Sequence, residues 1–167
     1  MGSKGMNSKL SEFLKREYLD SKSDLFAVFI EKCSRISREK GYIGMITQHS
    51  WMFLSSYAAL RKRIVYGMEI NSMVHLGARA FEEIGGEVVQ ATTFVLQNYN
   101  KRDYKGIYIR LVDIDNAFLK EKEYLSRENV FITQKENFSR IPGMPLAYWV
   151  SEKVYNIYKK CKHFSDI

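Results

Sequence analysis

One stretch limits the possible folds more than any other: a helical period that stops at a glycine and is followed at once by a short apolar run. Between Asp24 and Lys40, Leu25, Phe29, Cys33 and Ile36 recur at spacings of four and three, and Phe26 and Ile30 widen the stripe, the pattern of an amphipathic helix. Ser23 or Asp24 can cap the first turn. Arg38 and Lys40 crowd the last turn, and Gly41 offers a left-handed stop. The run Tyr42–Thr47 that follows is mostly apolar, which predicts a buried strand of a parallel sheet rather than an alternating surface strand.

The rest of the chain extends this alternation. A second helix is predicted over 56–66, with Leu60 and Ile64 inward, Arg61, Lys62 and Arg63 largely outward, and Gly67 ending it. Strands are predicted at 70–76, at 88–97, which is rich in β-branched residues, and at 106–113. A short helix at 116–126 and a closing helix at 148–160 complete the reading, with only a short helix at 10–18 before residue 24. Order and loop length predict a doubly wound α/β sheet in which 88–97 runs antiparallel and inserts between 42–47 and 70–76, and the final strands, short of connection, are antiparallel. Strand 42–47 would then have an exposed edge, which invites either a missing neighbour or self-association. The loop Ile141–Pro145 holds both prolines of the chain and marks a boundary.

With 167 residues, the chain can form one domain with a real core. Its formal charge of +7 suits a polyanionic partner without requiring one. No apolar run reaches the length of a membrane span, and Met1–Lys22 lacks the apolar core of a signal peptide, so a cytoplasmic protein is expected. Cys33 and Cys161 lie far apart with no Cys/His cluster, so neither a disulfide nor a metal site is expected.

Few residues stand out chemically. No glycine-rich phosphate loop is present. His49, His75 and His163 are scattered; His49, at a strand end, is a candidate site residue, against a structural or solvent-facing role. Glu82, Glu83 and Glu87 form an acidic cluster that reads as a solvated loop face rather than a metal site. Phe26, Phe29, Tyr57 and Tyr66 fall on core-like spacing. Phe81 does not: it sits in a charged loop between Gly77 and Gly85, where a large apolar ring either plugs the core or stacks on a ligand such as a nucleobase.

The run DLFAVFIEKCSRISREKGYIGMITQHSWMFLSSYAALRKRIV, followed by VHLGARAFEEIGGEVVQATTFVLQN, resembles the amino-methylating DNA adenine methyltransferases, in particular those of type IIG restriction-modification enzymes and of bacteriophage-exclusion (BREX) defence systems. The similarity covers residues 1–98 and continues more loosely through IPGMPLAYWVSEK at 141–153, which looks like the approach to a target-recognition region. The resemblance implies the C-terminal half of a Rossmann-like, S-adenosylmethionine-dependent methyltransferase sheet with a terminal antiparallel strand pair. It divides the chain into 1–98 (catalytic-domain half), 99–140 (strand-helix extension) and 141–167 (start of the linker or target-recognition region).

By position, the family's catalytic Asn-Pro-Pro-Tyr would lie just before Met1, and its glycine-rich cofactor segment further upstream. No catalytic residue is therefore assigned here, and the chain alone is expected to be inactive. The resemblance implies that Leu25 and Phe29 face the cofactor's adenine pocket and that Phe81 stacks on the flipped target adenine. Lys4, Arg61, Lys62, Arg63 and Arg79 are candidates for contacts with the backbone of double-stranded DNA. The partners expected are DNA and the missing N-terminal half and recognition region of the same protein. The alternatives are a non-enzymatic DNA-binding or assembly module that kept the fold, and a generic α/β interaction domain.

Overall fold

A computed structural model describes residues 1–81, 89–101 and 103–160. Among the described residues, five α-helices, α1 (Ser8–Glu17), α2 (Leu25–Ile36), α3 (Ala58–Gly67), α4 (Ala117–Ser126) and α5 (Glu152–Lys160), accompany five strands, β1 (Tyr42–Gln48), β2 (Glu69–Gly77), β3 (Ala91–Gln97), β4 (Lys105–Arg110) and β5 (Val130–Gln134). The sheet order is β1-β3-β2-β4-β5. β3 is antiparallel to both β1 and β2, so it sits between them as the sequence predicts.

β4 departs from expectation. It does not pair with β3; it pairs parallel to β2, on the side of β2 away from β3. The terminal antiparallel pair is β4 with β5, and the sequence reading had no strand at 130–134. The five residues VFITQ are too short for a period to register, and their place is supplied by β4.

Register lines up one apolar row across the sheet: Met45 opposite Phe94, Phe94 opposite Met73, Met73 beside Tyr108, and Tyr108 opposite Phe131. α2 and α3 cover this face, with Ala27, Ile30, Leu60 and Ile64 in the same buried cluster as Phe94 and Tyr108. Each buried Leu or Ile contributes about 2 kcal/mol of transfer free energy. The other face carries Ile46, Thr93, Val74, Ile109 and Val130. α4 stands over part of it and leaves an open cavity of about 300 Å³ lined by Val74, Leu76, Thr93, Leu111 and Tyr124.

Several local expectations are corrected. α2 ends at Ile36, and the left-handed residue before β1 is Lys40 (φ 61°), not Gly41. Its buried face is Ala27, Val28, Ile30 and Glu31, so Phe29 and Ile36 point outward, 52% and 73% exposed; Tyr66 is likewise exposed. β1 alternates in burial because it is the edge strand of the sheet and only one of its faces meets the helices. The segment after the two prolines packs into the core: Leu146, Ala147 and Tyr148 are buried, and Leu146 N–H donates to the Met52 carbonyl. Helix α5 consequently starts at Glu152, not 148.

Candidate functional site

Inserting β3 antiparallel between two parallel strands has a geometric consequence. The β2–β3 connection must rise at the C-terminal ends of both β1 and β2, where a doubly wound sheet offers its crevice. Gly77 makes the exit from β2: its φ is +71°, and a Cβ there would sit 2.8 Å from the Val112 Cα. Beyond it, an open cavity of about 240 Å³ is lined by Ile46, Thr47, Gln48, Arg79, Ala80, Phe81, Val89 and Ala91. Phe81 is 46% exposed and belongs to neither buried cluster. Arg79 lies 3.8 Å from Asp115, a solvent-exposed pairing of little energetic weight.

On the helix-covered side of the same strand ends, a second arrangement appears. Nδ1 of His49 lies 2.7 Å from Nε2 of His75, and Nδ1 of His75 lies 3.1 Å from the Tyr148 hydroxyl. His75 is 3% exposed. Burial, reinforced by the positive charge of His49, Arg110 and Lys120, lowers its pKa to about 3; burial lowers that of His49 as well. Phe53 packs its ring against both imidazoles and against Trp149, and the Arg110 guanidinium sits 5.0 Å above the Trp149 ring. Sequence reasoning left His75 unassigned and weighed His49 alone. Their spacing of 26 residues carries no local signal; only the pairing of β1 and β2 through β3 brings them together.

The residues proposed from sequence separate in space. Phe81 and Arg79 line the first cavity. Phe29 projects from α2, whereas Leu25 packs against Leu14, Tyr18 and Val28. Lys4 is exposed in a short 3-10 helix at Ser3–Gly5, and Lys62 is exposed on α3. Arg63 approaches Glu31 at 3.4 Å. Arg61 is a correction: it is 1% exposed, and its guanidinium donates to the carbonyls of Trp51, Leu54 and Gly143. It satisfies backbone carbonyls inside the protein and cannot reach a phosphate. The acidic cluster Glu82, Glu83 and Glu87, together with Cys161 and His163, lies outside the described residues.

Two further buried cations were missed. Lys135 donates to Glu69 (2.7 Å), to the Met68 carbonyl and to Asn100. Lys120 donates to the carbonyls of Leu76 and Leu111, tying α4 to the end of β2. Among the described residues, no helix is long and apolar enough to cross a membrane.

Residues 1–81 match the family model described as Eco57I restriction-modification methylase. This stretch includes α1 to α3, β1, β2 and the cavity residue Phe81. The similarity to curated proteins runs through most of the chain. It is 49% identical over 159 residues to the adenine-specific methyltransferase PglX of Lacticaseibacillus casei, covering 92% of this chain. It is 45% identical over 161 residues to the adenine-specific methyltransferase BrxX of Escherichia coli O9:H4, covering 96% of this chain. The chain spans only 13% of the length of each.

Among solved structures, the chain resembles DrdV in a complex with DNA, with a TM-score of 0.59 and 14% identity over 87% of this chain and 16% of that one. It also resembles the type I restriction-modification methyltransferase subunit of Streptococcus thermophilus, with a TM-score of 0.54 and 16% identity over 83% of this chain and 34% of that one. At such identities the likeness is one of fold.

Proposed function

We propose that this chain forms the target-base side of the catalytic domain of a larger DNA adenine methyltransferase of a phage-defence or restriction-modification system. The observation that carries the reading is the position of Phe81: a half-exposed aromatic ring on an apolar cavity at the C-terminal ends of β1 and β2. An adenine inside a duplex is out of reach of any active site, so the base is swung out at a cost of a few kcal/mol. A ring such as that of Phe81 returns about 1–3 kcal/mol by stacking.

When bound, S-adenosylmethionine supplies the electrophilic methyl group. Phe29 fits one wall of a pocket for its adenine ring, since the side chain stands out from α2 with half its surface free; Leu25 supports that wall through its contacts with Leu14, Tyr18 and Val28. The adenine amine gains a methyl group and gives up one proton, and the requirement is placement rather than strong acid-base chemistry. The groups that hold the amine and the methionine moiety belong to the rest of the protein, so the chain alone is expected to transfer no methyl group and to bind the cofactor weakly. In this reading residues 1–98 are the catalytic-domain half, 99–140 its strand-helix extension, and 141–167 the start of the linker or target-recognition region. On the same reading Lys4, Lys62, Arg63 and Arg79 remain the candidates for contacts with DNA phosphates.

The test is methyl transfer by the full-length protein. Phe81→Ala should slow single-turnover methylation by about 10- to 100-fold, the factor expected for one stacked base, with S-adenosylmethionine affinity unchanged. Phe81→Trp should keep much of the rate. A Phe81→Ala protein that methylates normally would remove the ring from the mechanism.

A further inference from the structure

The His49–His75–Tyr148 chain joins three separate parts of the fold. Tyr148 lies in the loop that approaches the target-recognition region, His75 lies in β2 two residues before the Gly77 exit, and His49 follows β1 directly. The path continues through the backbone: His49 N–H donates to the Gln90 carbonyl at 2.9 Å, and Gln90 stands between Val89 and Ala91, which line the Phe81 cavity. A continuous set of directional bonds thus runs from the 144–149 loop to the cavity wall.

We propose that His75 is a positioning residue: through Tyr148 and His49 it fixes the recognition-side loop relative to the cavity in which Phe81 receives the base. The proposal rests on the reading given above. His75 does not itself touch the base.

Hydrogen-bond arithmetic supports a role in aim rather than in bulk. A neutral imidazole has one donor and one acceptor nitrogen, and both nitrogens of His75 are used. Whichever way the protons run, each of the two links has one proton, so the buried ring is fully satisfied without charge. The loop's burial comes from elsewhere: the Tyr148 ring stacks on Tyr108 with centroids 5.0 Å apart and planes within 9°, and it meets the edges of Phe131 and Trp149. Deleting the hydroxyl leaves those contacts in place and removes the link to His75 together with the hydroxyl's hydrogen bond to Arg110.

Three variants of the full-length protein test this. Tyr148→Phe and His49→Leu should each raise KM for DNA about tenfold, the scale of one lost buried hydrogen bond, while kcat stays within about twofold. His49→Asn should stay near the unmodified protein, because the asparagine amide occupies the place of the imidazole Nδ1. A purely structural role would lower the folded fraction and Tm without moving KM and without separating Asn from Leu. An active protein whose KM is unchanged by Tyr148→Phe overturns the positioning role alone. An unmodified full-length protein that does not methylate adenine overturns the functional reading, and this inference with it.

Discussion

His75 should make the fold acid-sensitive, and the size of the effect follows from its surroundings. In the unfolded chain its imidazole takes a proton near the ordinary value of 6.5. In the fold, burial opposes the charge, and His49, Arg110 and Lys120 add repulsion, so protonation waits until about pH 3. Below pH 6.5 the unfolded state therefore binds a proton that the folded state refuses. The stabilisation is complete above that pH and is lost as pH falls towards 3. Linkage gives a loss of about 2 kcal/mol between pH 7 and pH 5 from this one group, a large part of the roughly 5–15 kcal/mol that holds a domain together. Urea unfolding followed by the fluorescence of the buried Trp51 would measure it, with His75→Gln as reference to subtract the other titrating groups. Nitrogen-15 spectra of the imidazole should show a neutral ring at pH 5. A difference curve flat from pH 7 to 5, or an imidazole that titrates near 6.5 in the folded protein, would refute the reasoning.

Other substitutions probe other parts of the structure. Arg61→Ala should cost about 3 kcal/mol in chemical denaturation, because carbonyls that the guanidinium satisfies are left buried, whereas Lys62→Ala on the same helix should leave the unfolding midpoint almost unchanged. Gly77→Ala should lower stability by at least about 1 kcal/mol, read as a fall in Tm, since its φ is +71° and the added methyl group meets Val112. Lys135→Met alone strands the buried Glu69 carboxylate and should cost about 3 kcal/mol in the same denaturation assay; adding Glu69→Gln should recover part of that loss, as expected when a desolvated pair is neutralised together.

How much of this is legible in the residues alone depends on the distance over which each feature is encoded. Helix α2, its Asp24 cap and strand β1 can be read from the local period and the capping residue, and the insertion of β3 follows from element order and the limited length of the β2–β3 connection. The isolation of Phe81 in a charged, glycine-flanked loop can also be read, because no helical or strand period accommodates it. The face that α2 buries is another matter. Its apolar stripe is broad enough for two orientations, and only packing against the sheet decides that Ala27 and Ile30 go in while Phe29 stays out.

The same is true of every polar group that ends up inside. Arg61, Lys120 and Lys135 read as surface cations because their neighbours are polar and charged, and their acceptors are mostly carbonyls, which every residue possesses and which therefore leave no trace in the sequence. The parallel pairing of β4 with β2, and the meeting of His49, His75 and Tyr148, link residues far apart in the chain through backbone ladders that any apolar strand could form. Periodicity reports what a segment prefers by itself. Which segments become neighbours is decided by burying all of the apolar faces at once, and that is a property of the assembled structure.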